Sequence, residues 1–101
     1  MPSEIFDYLS SLKQIDRINL LDSLATDPQK EYEHFHITVH KEERNFDEYG
    51  GVLVRQLILK STKSEETLYC TIDAIYAQND YLGCNVAFTD ESGNTYTLPS
   101  Q

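Results

Sequence analysis

Positive charge is scarce in this chain: eight Lys and Arg stand against seventeen Asp and Glu, a formal net charge of -9. Binding to nucleic acid without regard to sequence depends on cations that neutralise phosphates, so direct nucleic-acid binding is set aside. Attachment to an anionic membrane surface is set aside for the same reason. Glycine is also sparse, at four residues, and Gly50-Gly51 stands apart from Gly83 and Gly93, so no glycine-rich phosphate loop is present. The most apolar run, Gly51 to Leu59, is broken by Arg55 and Gln56 and is too short to span a bilayer. The opening MPSEIFDYL carries acids where a secretory signal has positive charge, which leads us to expect a cytoplasmic protein. With 101 residues, a single domain over 1–101 is expected.

What is present is organised around Thr67 to Ala77, TLYCTIDAIYA, where Leu68, Cys70, Ile72, Ala74 and Tyr76 recur with the period of a strand. Tyr69 and Ile75 on its second side suit a central position in a sheet. If Tyr81 to Asp90 folds back on it about Asn79, Tyr76 meets Leu82, Ala74 meets Cys84, Ile72 meets Val86 and Cys70 meets Phe88. Apolar residues then face apolar residues, and a slip by one residue would set this face against Gly83, Asn85 and Thr89. Cys70 and Cys84, the only cysteines, fall about four residues apart along this ladder, roughly 13 Å at the rise of a strand. That separation forbids a disulfide and predicts two free, shielded thiols.

Ser3 is placed to cap a helix striped by Ile5, Leu9 and Leu12, with Glu4 and Asp7 in its first turn. A second stripe, Ile18, Leu21, Leu24 and Ala25, is out of phase with the first, so two short helices or one bent one are expected before the Asp27-Pro28 stop. Tyr32 to His40 reads as a half-buried strand, Lys41 to Tyr49 as a charged loop, and Val52 to Lys60 as a second strand. Gly93 suits a hairpin turn that lays Thr95 to Leu98 against Tyr81 to Asp90, with Phe88 opposite Tyr96 and Val86 opposite Leu98, and Pro99 ending the strand. The predicted fold class is therefore α+β, with two N-terminal helical segments packed on one face of a five-stranded antiparallel meander.

Chemistry-bearing residues are few. His34, His36 and His40 on one side of the first strand form the metal-ligand candidate, because alternate strand positions project imidazoles from one face. A metal- or small-ligand-binding domain built on that face is the alternative function. Cys84 as a nucleophile, or Asp73 as a general base, would require an activated site that nothing in the sequence supplies, so no catalytic residue and no cofactor is assigned. The richer signal is acid with tyrosine: Glu42, Glu43, Asp47, Glu48 and Tyr49 lie together, with Asp80 at the same end of a meander. Such a surface suits a protein partner with a basic face, as an inhibitor, immunity protein or phage-encoded antagonist would use. The first strand should lie at the sheet edge, where Thr38 would mark a docking edge for a partner strand or a second copy.

Overall fold

The computed structural model describes residues 3–98. Two helices, α1 (Glu4–Ser11) and α2 (Gln14–Thr26), precede β1 (Phe35–Asp47), β2 (Gly50–Ser61), β3 (Thr67–Ala77), β4 (Asp80–Asp90) and β5 (Thr95–Tyr96). All five strands form one antiparallel sheet in the order β1-β2-β3-β4-β5, and the helices cover one of its faces. Pro99 lies outside the described residues.

The helices break where their stripes change phase. Ser3 accepts the Phe6 amide at 3.0 Å, and Leu12 and Lys13 are extended. A second, remote cap comes from Glu66, whose carboxylate accepts the Ile5 amide at 3.0 Å and complements the positive helix end. Ile5 and Leu9 of α1 and Leu24 and Ala25 of α2 meet Phe35, Leu57, Leu59, Leu68, Cys70, Ile72, Ala74 and Phe88 in the core. Ile18, expected in the apolar stripe, is instead exposed, while neighbouring Arg17 is buried.

The register confirms three of the predicted β3–β4 pairs, Ala74 with Cys84, Ile72 with Val86 and Cys70 with Phe88. Tyr76, however, pairs with Tyr81 rather than Leu82. A shift at Ile75/Tyr76 leaves Leu82 without a partner, and the hairpin closes on a two-residue turn in which Gln78 takes a φ of 57°. The expected charged loop Lys41 to Tyr49 is also revised. Residues through Asp47 continue β1, which starts at Phe35 rather than Tyr32, and the loop shrinks to Glu48-Tyr49. Solvent bathes both sides of this stretch, so polar residues at every position are compatible with a strand. β5 ends at Tyr96: Phe88 pairs with Tyr96 as expected, but Val86 and Leu98 are not ladder partners, although both pack against the core.

Among the described residues no helix is long and apolar enough to cross a membrane.

Candidate functional site

The β1–β2 and β3–β4 turns lie side by side at one end of the sheet. Asp47 Oδ1 accepts the Tyr49 amide at 2.8 Å, and the Gln78 amide donates to the Tyr49 carbonyl at 2.9 Å, which joins the two turns. Glycine is required here. A Cβ on Gly50, whose φ is 125°, would collide with the Tyr76 carbonyl oxygen, and one on Gly51 would collide with that of Asn45.

Apolar side chains at this end are incompletely covered. Tyr49 is 75% exposed, Leu82 65% and Phe46 36%. Phe46 meets Tyr76 at a tilt and Tyr76 meets Tyr81 edge to face, each at 5.6 Å between ring centres, and the Arg44 guanidinium lies over Phe46 at 4.7 Å. Buried Leu53 floors a recess of about 170 Å³ beneath Arg44, Phe46 and Tyr76.

The acids named from the sequence do not act as one group. Glu42 faces the helical side, where it pairs with Arg55 at 2.8 Å, and Arg55 also donates to the Ala25 carbonyl in the last turn of α2. Glu43 and Asp47 lie on the open side, opposite Val54 and Gly50, and Glu48 sits in the turn with Tyr49. Asp80 closes the adjacent hairpin. At the far end Asp90 accepts from Ser92, from the backbone and side chain of Asn94, and from Tyr96. The Asn94 side chain and these other donors hold its carboxyl below the usual range, so this acid is committed to its turn.

The histidines separate. His34 precedes β1, and its ring stacks on Tyr8 of α1 at 3.8 Å, so it leaves the strand face assumed for it. His36 lies opposite Lys60, and His40 falls at a register shift between Val39 and Lys41. Among the described residues, no group of three or more His, Cys, Asp and Glu is arranged to hold a metal ion. Thr38 lies on the open face opposite Ile58.

Cys84 is half-buried, with Sγ 3.8 Å from the Leu21 carbonyl and from Asp22 Oδ1. Burial pushes its thiol up, away from the thiolate that nucleophilic chemistry uses. Asp73 sits between Val54 and Asn85 on the open face. Sequence reasoning missed Arg44, Phe46 and Leu82. Phe46 had a signal, since it interrupts an otherwise polar run, whereas Leu82 looked like an ordinary inward strand residue.

No protein-family model, curated protein or solved structure matches the chain.

Proposed function

We propose that this is a small acidic protein-binding domain of the cytoplasm that masks a basic surface of a partner, in the manner of an inhibitor or antagonist. The carrying observation is the exposure of Tyr49, Leu82 and Phe46 at the end of the sheet that also carries Asp47, Glu48 and Asp80. Aromatic anchors within a charged rim match the anatomy of protein interfaces. The two linked turns hold the Tyr49 backbone before binding occurs, which lowers the ordering cost. The carboxylates serve mainly to speed encounter.

The test is capture from the native cell with the wild-type chain and a Tyr49→Ala/Leu82→Ala variant, followed by association kinetics with the purified partner. A basic partner held by the wild type and lost by the variant supports the proposal. Charge reversal at Asp47 and Glu48 should slow association, with dissociation changed little. A captured set that both variants leave unchanged overturns it.

A further inference from the structure

β1 is an edge strand of thirteen residues, and among the described residues one row of its backbone groups has no partner strand. Which residues point outward follows from the ladder. The Thr62 amide donates to the His34 carbonyl at 3.2 Å, in register with the pair Phe35–Ser61. Opposed residues in an antiparallel ladder alternate between exchanging bonds and turning them away, so His36 and Thr38 bond to β2 while Phe35, Ile37 and Val39 face the open edge. Thr38 is therefore not an edge donor. Beyond the shift, the two-residue turn closed by Asp47 and Gly50 sets the phase: Lys41, Glu43 and Asn45 bond to β2, and Glu42, Arg44 and Phe46 face outward.

The extra residue, His40, inverts the alternation. Val39 faces the core opposite Leu57 and Lys41 lies on the open side opposite Gln56, with His40 inserted between them. Strand pairing about a two-fold axis must match core side with core side and outward group with outward group. An axis displaced from the bulge fails this condition when the pairing crosses it. Short registers within the distal half that centre on Glu42, Glu43 or Arg44 set that charge against its own copy.

One axis satisfies every condition across the twelve residues from Phe35 to Phe46, and it passes between His40 and Lys41. On the helical side Val39 then meets the second copy's Glu42, Ile37 its Arg44 and Phe35 its Phe46. On the open side Thr38 meets Glu43 and His36 meets Asn45. No carboxylate opposes a carboxylate. Beside Phe35 and Ile37 lies a groove of about 370 Å³, also lined by Lys30, Glu31 and Tyr32. This groove can receive Phe46 of the second copy and offers Glu31 to Arg44, which forms no ion pair among the described residues. We propose that two copies of this chain join along β1 about this axis into a ten-stranded sheet. Phe46 belongs to both surfaces, whereas Tyr49 and Leu82 lie beyond the paired residues, so loss of partner capture in the Tyr49→Ala/Leu82→Ala variant and loss of self-association are read separately.

The experiment combines sedimentation velocity of the wild-type chain with oxidation of designed cysteine pairs. In the new ladder Thr38 and the second copy's Glu43 turn their backbone bonds away from each other, the arrangement that brings Cβ atoms to roughly 4.5–5.5 Å. Thr38→Cys/Glu43→Cys should give a covalent dimer carrying two symmetric bridges, mapped by mass spectrometry. Either single variant, and the shifted pair Thr38→Cys/Asn45→Cys, should give much less. Arg44→Pro, which removes an outward amide, should reduce the concentration-dependent rise in sedimentation coefficient while Arg44→Ala retains most of it. A wild-type chain that stays monomeric at its highest soluble concentration overturns the proposal, as does equal cross-linking by the shifted pair.

Discussion

Tyr81 donates its phenolic proton to Asp22 Oδ1 at 2.6 Å, which ties β4 to α2 across 59 residues of sequence. Burial, reinforced by Asp22, pushes the tyrosine hydroxyl up. Tyr81→Phe should cost about 1.5–3 kcal/mol in urea unfolding, the loss expected for a hydrogen bond to a charged group. Because the folded-state value is raised, this contribution is complete below the unfolded tyrosine range near pH 10 and is lost at higher pH. Titration by tyrosinate absorbance should find one ring that ionises only as the chain unfolds.

Arg55 serves two partners at once, the Glu42 carboxylate and an Ala25 carbonyl that the end of α2 leaves without an intrahelical donor. Arg55→Ala should cost about 1–3 kcal/mol because the carbonyl is orphaned. Glu42→Gln should cost at most about 1 kcal/mol, since the carboxylate is largely in water. Parallel thermal and urea melts of the two variants would reveal the asymmetry. Equal losses would mean that the ion pair matters more than the helix end.

The middle of this molecule was readable because burial disciplines it. Between Cys70 and Ala74 an apolar face meets an apolar face on β4, and only one register satisfies both. The helix break was readable as a phase error between Leu12 and Ile18. The distal hairpin was not. From Lys41 to Asp47 both faces meet water, so no hydrophobic period marks the strand, and pairing with β2 and a tight turn shape it instead. The bulges at His40 and Leu82 were equally hidden, because an extra residue shifts the register without altering composition. The candidate site inherited this error. Its carboxylates were visible as a cluster, but their division between two faces depends on the strand through which they run.

Cys70 is buried, Cys84 is half-buried, and burial raises both thiols. We expect slow modification by a thiol reagent at pH 8 in the native state, Cys84 reacting before Cys70, and rapid reaction of both in denaturant. Fast native labelling of Cys70 would contradict the β3–β4 packing.

Asp90 holds the last turn through four donors. Its folded-state carboxyl is depressed, so its contribution is present above the ordinary aspartate value near 3.9 and disappears as pH falls through the lower folded value. Carboxyl chemical shifts should show Asp90 protonating after most other aspartates. Asp90→Ala should loosen Thr95 and Tyr96, seen as faster amide exchange there with β2 and β3 unaffected.

Each strand of the meander pairs with the strand next in sequence, so the sheet closes only short loops, whereas docking of α1 closes the longest ones. Phe6 must find Phe88 and Tyr96, at ring separations of 6.4 and 4.9 Å, and Ile5 must find Glu66. On the ribosome, the helices therefore emerge before the strands on which they pack. They wait, with Ile5, Leu9 and Leu24 in water, until β4 clears the exit tunnel, and this interval is when a nascent chain of this design most needs a chaperone.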